Sequence, residues 1–454
     1  MESTAPPYGR DFVGKRLNAL APGLGLSCDY DEDSESFLLA TAAYYVEIEV
    51  APSGEIRAVK VANGMEDGHE DPEMRALLTS GDYDGLHTAF GRLQAVHRPH
   101  PTLGDDSTAR FDRLAVFEAE VTTIFTAETA GHPAGTVLQT GHGLFRARLG
   151  CRMFRIAYHS SVGVDPAADV ATVTADLFGT AASGDPTHGA STTAYADLVV
   201  ADAVSTESLA PPEKLKSATT VPPGEVGAGK PLATLGFTAA GSPDTDGLFA
   251  LTLVLTPAVF CHADMAADLY TVASGAPPSH EASASRGTEF LTRFVDRAGG
   301  PAAGSPFHLY PRKGCSGGVE VRRVMVRSTR HLLGVLQLLR QQLTLNALLA
   351  SCAASGPVDG IAAVELSLVS RNRFVLQLQH PATERLCSIE VTVSALGGVG
   401  CKVTVLPGDP MPCTDAALLA AVTERLSIPD ALRSVWASPD GVADRPAKRL
   451  RTED

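Results

Sequence analysis

Between Thr329 and Cys352 the chain carries Leu332, Leu333, Val335, Leu336, Leu338, Leu339, Leu343, Leu345, Leu348 and Leu349. Their spacing predicts a helix, and Ser328-Thr329 supplies a cap at its start. At 1.5 Å per residue it runs about 36 Å, enough to cross a small domain. The leucines fall almost all round the axis. Such a helix has to be buried on most faces, either in a core or against a partner.

The flanking sequence offers partners. Val319–Val326 reads as a strand before the helix. Four strands follow it, near 362–369, 373–380, 386–394 and 399–406, each with one apolar face: Val364/Leu366/Leu368, Phe374/Leu376/Leu378, Ile389/Val391/Val393 and Cys401/Val403/Val405. Short connections predict an antiparallel meander. A last helix starts at Thr414-Asp415 and ends before Pro429. At the other end, a helix over 11–22 stops at Pro22-Gly23. Strand patterning at 37–50 turns at Pro52-Ser53-Gly54 into Ile56–Val61, and helices follow at 71–97 and 108–128. Residues 136–310 read as β-rich, with strands at 143–149, 152–158, 195–203 and 248–255 and loops at 181–192, 208–231 and 275–287. A chain of 454 residues exceeds the size of one core. The expected architecture is α+β and multi-domain: 11–130, a β-rich middle at 131–311, a second α+β unit at 312–436, and a basic tail at 437–454.

A net charge of -15 argues against binding bulk nucleic acid or an anionic membrane. The acids crowd at Asp29, Asp31, Glu32, Asp33 and Glu35, whereas 312–340 holds seven Arg/Lys against Glu320 and reads as a solvated face. Eight cysteines stand singly with no C-x-x-C pair, which suits a reducing compartment and predicts no zinc site. The start has no secretory signal pattern, and the most apolar uncharged run, Leu248–Ala263, is interrupted by Pro257 and too short to span a bilayer. A soluble intracellular protein is expected. Lys448, Arg449 and Arg451, in the cluster RPAKRLR, are the nuclear-import candidate.

Apparent catalytic motifs fail on context. Gly224–Lys230 has phosphate-loop spacing, but Pro231 stands where a magnesium-binding hydroxyl belongs. Ser316 in Gly314-Cys-Ser-Gly-Gly318 fits a nucleophile elbow, but a strand follows where a helix is required. A serine hydrolase built on Ser316 is the enzyme alternative. His262-x-Asp264, His97, His100, His132 and His142 lack ligand pairing and read as surface histidines. No enzyme activity, cofactor or metal is expected. Leu345-Asn-Ala-Leu348-Leu349 is an L-x-x-L-L box, the type that docks in receptor grooves, but its setting predicts burial.

The same segments carry a family resemblance. Arg340-x-Gln342, Asn346, Leu348-Leu349 and Ser351-Cys352 resemble the signature helix of the Mediator subunit 1 family. Arg373-Phe374 through His380-Pro381, Cys413-Thr414-Asp415 and Ser427-Ile428-Pro429 are similar to later family blocks. Arg16-Leu17, Leu20-Ala21, Gly25-Leu26, Tyr45–Gly54 and Val59–Ala62 are similar to its opening helix and hairpin. The resemblance spans about 13–436, with a poorly matched middle. Leu345 departs from a frequent aromatic, and binding of nuclear receptors through the receptor boxes that animal members carry on a long tail is not expected here. The resemblance implies a non-enzymatic nuclear coregulator that bridges transcription activators and RNA polymerase II. Its implied neighbours are middle-module subunits such as 4, 7 and 9, with no direct contact to nucleic acid or membrane. An intracellular adaptor outside Mediator is the other alternative.

Overall fold

The computed structural model describes residues 9–63, 68–97, 107–147, 154–160, 193–200, 213–220, 232–239, 251–274, 290–297, 304–310, 317–326 and, with short interruptions, 328–437, together with Val170 and Val173. The fold is α+β and multi-domain, with antiparallel and mixed sheets.

Helix α1 (Arg10–Leu20) tightens into a 3-10 turn at Ala21–Leu24, and Gly25 leaves it in the left-handed region. Strands β1 (Ser27–Asp31), β2 (Ser36–Ala40), β3 (Tyr44–Val50), β4 (Ile56–Asn63) and β5 (His69–Glu70) form an antiparallel sheet in chain order. Alternation in β3 buries Tyr44, Val46, Ile48 and Val50 against α1, α2 (Pro72–Ser80) and α3 (Tyr83–His97). The stretch expected as one strand at 37–50 is two. The Thr41 hydroxyl accepts from the amides of Ala43 and Tyr44 and so folds the turn between them. The helix expected at 71–97 is also two, because Gly81 adopts φ 74 and ends α2.

Beyond α4 (Ser107–Thr129) and α5 (Ala134–Thr140) the chain builds β6 (Leu144–Arg146), β7 (Phe154–Ser160), β8 (Thr193–Val200), β9 (Glu213–Thr220), β10 (Ala233–Ala239) and β11 (Leu251–His262). Helices α6 (Ala263–Ser274) and α7 (Phe290–Arg297) follow, then β12 (Phe307–Tyr310), β13 (Gly318–Val326) and α8 (Thr329–Ala354). A second antiparallel sheet has the order β13-β11-β8-β7-β6, and β9 pairs with β10. Three expectations are corrected here. The segment 208–231 contains a strand, β9. The middle region holds α5, α6 and α7, which weak periodicity concealed. Strand β11 runs on through Pro257, where its register with β13 shifts, the kind of irregularity at which a strand tolerates proline. The segments 181–192 and 275–287 lie outside the described residues.

The third sheet has the order β12-β14-β15-β16-β17, with β14 (Val364–Ser370), β15 (Arg373–Gln379), β16 (Leu386–Val393) and β17 (Val399–Val405) as the antiparallel meander and β12 added in parallel. Helices α9 (Asp415–Arg425) and α10 (Ile428–Ala437) complete it. Two helices thus replace the single one expected. Pro429 is the second residue of α10, where a missing amide donor removes no helical bond.

Strands β12 and β13 cross the boundary drawn at 311/312. The earlier strand pairs with β14 and the later one with β11, so the two sheets interlock along the sequence. The boundary at 130/131 is crossed as well, because Leu114, Val121, Ile124 and Phe125 of α4 join the core of the second sheet. Helix α8 ties these parts together. Its first half, Leu332 to Leu339, packs in the core of the second sheet, and Leu345 to Cys352 pack in the core of the third. Its apolar faces are covered from within the chain.

Candidate functional site

The polar residues of α8 are as informative as its leucines. Ser328 caps it by accepting from the His331 amide at 3.2 Å, and the Thr329 hydroxyl donates to Glu120 of α4 at 2.8 Å. Gln341 donates to the Val393 carbonyl at the end of β16, 2.6 Å away. The Gln342 carbonyl accepts from the His262 amide at 3.2 Å, while its NH2 donates to Asn346 at 2.8 Å. Asn346 in turn donates to the Phe260 carbonyl of β11 at 2.8 Å. Ser351 accepts from the Ile428 amide at the start of α10, 3.1 Å away. Apart from the Ser328 cap, these side chains fasten α8 to α4, β11, β16 and α10, satisfying groups that would be costly to bury unpaired.

Arg340 is among the largest fully buried side chains of the described residues. Its guanidinium donates to the Leu138 carbonyl at 2.5 Å and the Val137 carbonyl at 3.4 Å, both in the last turn of α5. A cation at a helix C-terminus faces the negative end of the helix dipole. Burial pulls its pKa down to about 10, opposed by the charge of Glu128, so it remains a cation at neutral pH. Beside it, Glu128 accepts from the His142 amide at 2.8 Å and from the His142 ring Nδ1 at 2.5 Å. The Gln337 amide meets the other ring nitrogen at 3.0 Å.

A carboxylate holding an imidazole is the arrangement that orients a catalytic base. Here the far ring nitrogen is occupied by an amide rather than a nucleophile, and His142 and Glu128 are essentially sealed from solvent. The arrangement links α4, the α5–β6 turn and α8. His142 sits between Gly141 and Gly143, and Gly143 has φ 125, where a Cβ would run into the backbone of Ala157 and Tyr158. That Gly-His-Gly triplet was the available sequence signal for a tightly enclosed histidine.

The reading of the histidines as surface residues is overturned. His97, His132, His142 and His262 are buried. His97 stacks on Tyr44 and bonds Asn63, and His262 meets the edge of Phe290, so each ring has polar or aromatic company that makes burial tolerable. His100 lies outside the described residues. Arg340 likewise departs from the solvated face expected over 312–340, whereas Arg322, Arg323 and Arg330 are exposed.

Burial also sets a pH response. Desolvation, then the nearby Arg340 cation, pulls the His159 pKa down to about 3, against about 6.5 for an unfolded chain. Between those values the unfolded chain binds a proton that the folded chain refuses. Stability is therefore full above about pH 6.5 and falls as pH drops, by up to about 1.4 kcal/mol per pH unit from this ring. His262 and His380 are shifted the same way by burial. We expect a lower urea midpoint at about pH 5 than at about pH 7. An unchanged midpoint would show that these rings titrate freely in the fold.

Of the signature residues, Arg340, Gln342, Leu348, Leu349 and Cys352 are buried, while Asn346 and Ser351 are partly buried and bonded as described. Leu345, Leu348 and Leu349 of the L-x-x-L-L box are buried in the third sheet's core. Lys448, Arg449, Arg451, Ser316 and the Gly224–Lys230 loop lie outside the described residues. Among the described residues no helix is long and apolar enough to cross a membrane, and no group of three or more His, Cys, Asp or Glu is placed to hold a metal.

No family model matches the chain. It is 28% identical over 124 residues to "Mediator of RNA polymerase II transcription subunit 1" of Xenopus tropicalis, covering 26% of this chain and 8% of that protein. The Xenopus laevis protein of the same name matches with the same identity and coverage. The matched region spans 8% of the length of these relatives. The chain therefore has partial sequence similarity to subunit 1 of Mediator.

Proposed function

We propose that the chain is a non-enzymatic subunit of Mediator that works in the nucleus by protein–protein contact. It sits in the middle module beside subunits such as 4, 7 and 9 and bridges transcription activators and RNA polymerase II. The partial similarity to Mediator subunit 1 carries this reading. The signature helix supports it by what its polar residues do. Arg340, Gln342, Asn346 and Ser351 bond to the chain's own elements, so they serve architecture rather than substrate.

The test is to purify the tagged full-length chain from nuclei of the organism that makes it and identify its companions by mass spectrometry. Middle-module subunits should co-purify and co-elute with it. Recovery of the chain without any Mediator subunit would sink the proposal. In the same cells, replacing Lys448, Arg449 and Arg451 with alanine should lower the nuclear share of the protein. An unchanged share would remove the tail's role in import and leave the Mediator assignment standing.

A further inference from the structure

The three five-stranded sheets have six edges among the described residues, and most are protected. Strands β5, β6 and β12 have two, three and four residues. Strand β13 packs with α6 and α7. Strand β17 packs with α9, and its Val403 amide donates to Asp415 at 2.7 Å. Strand β1 differs. It is five residues long and pairs with β2 on one side, and Ser27, Asp29, Tyr30 and Asp31 are exposed. Unpaired edges of this kind are templates for a further strand, and proteins commonly shorten or cover them.

Side-chain alternation along β1 states what that strand would be. Phe37 and Leu39 of β2 are buried and stand opposite Tyr30 and Cys28, so these two lie on the core side of the sheet. The Tyr30 and Phe37 ring centroids are 4.9 Å apart. Ser27, Asp29 and Asp31 occupy the other face, and Glu32 and Asp33 extend the negative charge past the strand's end. Glu35 does not add to it, because Arg10 and Arg57 pair with it at 2.9 and 3.0 Å.

We propose that the open edge of β1 is a docking site for an extended segment of a partner protein in which basic residues alternate with apolar ones. The backbone of that segment continues the sheet. Its lysines or arginines lie beside Asp29 and Asp31, and its apolar side chains lie beside Tyr30 and Cys28, as cross-strand pairs do on each face.

The full-length protein is titrated with a fluorescent peptide alternating Lys and Val, with the same peptide N-methylated at alternate amides, and with its Glu/Val counterpart. The Lys/Val peptide should bind, more weakly as salt rises. N-methylation should weaken binding about tenfold or more, because it removes ladder donors without changing charge. The Glu/Val peptide should not bind. Asp29→Lys combined with Asp33→Lys, exposed positions that should leave the melting temperature unchanged, should also lower affinity for the Lys/Val peptide about tenfold or more. Equal binding of the N-methylated peptide would reduce the effect to diffuse electrostatics and overturn the proposal. So would full affinity in the folded charge-reversal variant, or no binding at millimolar peptide.

Discussion

Replacing Glu128 with alanine is expected to destabilise the protein by about 3–5 kcal/mol, the usual effect of removing one partner from a buried charged network. The carboxylate accepts two donors from His142, the backbone amide and the ring Nδ1, and both are left unsatisfied without it. Arg340 loses the opposite charge that supports its cationic form. The Gln337 amide also loses a fixed ring to bond, because the tautomer and orientation of His142 are set by Glu128. Typical domains are stable by about 5–15 kcal/mol, so this single change removes a large share. Glu128→Gln should fall between wild type and alanine. It keeps the volume and one acceptor, but its NH2 faces a group that also donates. Urea denaturation of the full-length protein measures both. A loss below about 1 kcal/mol for Glu128→Ala would mean that this network does not hold α4 and α5 to α8.

Legibility of the fold in the sequence follows how local its causes are. Strands β14 to β17 could be read closely because apolar residues recur at every second position and pack into one core, so the periodicity is the structure. Helix α8 was legible for the same reason. Strand β9 was not, since Glu213-Lys-Leu-Lys-Ser-Ala-Thr-Thr220 has the composition of a loop and becomes a strand by pairing with β10. The exchange of β12 and β13 between sheets leaves no local trace either. Arg340 is the sharpest case. It stands in a basic run that looks solvated, and what permits its burial is a helix end 202 residues earlier in the chain. The site was half legible on the same grounds. The signature residues could be named from their order along α8, but their partners Leu138, His262, Phe260 and Ile428 come from other elements that only the fold brings together.

The largest effect is expected from shortening two leucines of α8 together. Leu336 lies in the core of the second sheet and Leu348 in that of the third. Twelve residues of helix separate them by about 18 Å, beyond the distance at which substitutions usually couple directly. Leu336→Ala and Leu348→Ala should each cost about 2–5 kcal/mol. Added, they approach the whole stability of a typical domain, so the double variant should be largely unfolded at room temperature. The more telling measurement is which part of the protein responds to Leu336→Ala alone. Trp436, the single tryptophan, packs on the core of the third sheet and reports on it by fluorescence. Since one helix runs through both cores, with Arg340, Gln341 and Gln342 bonded at the junction, the two halves should unfold together. Leu336→Ala should therefore lower the Trp436 transition and the circular-dichroism transition to the same midpoint. If Trp436 keeps its wild-type midpoint in that variant, the cores are independent and α8 does not couple them. If Leu348→Ala leaves stability intact but abolishes binding to a partner, the L-x-x-L-L box is a docking motif and its burial is not the state that functions.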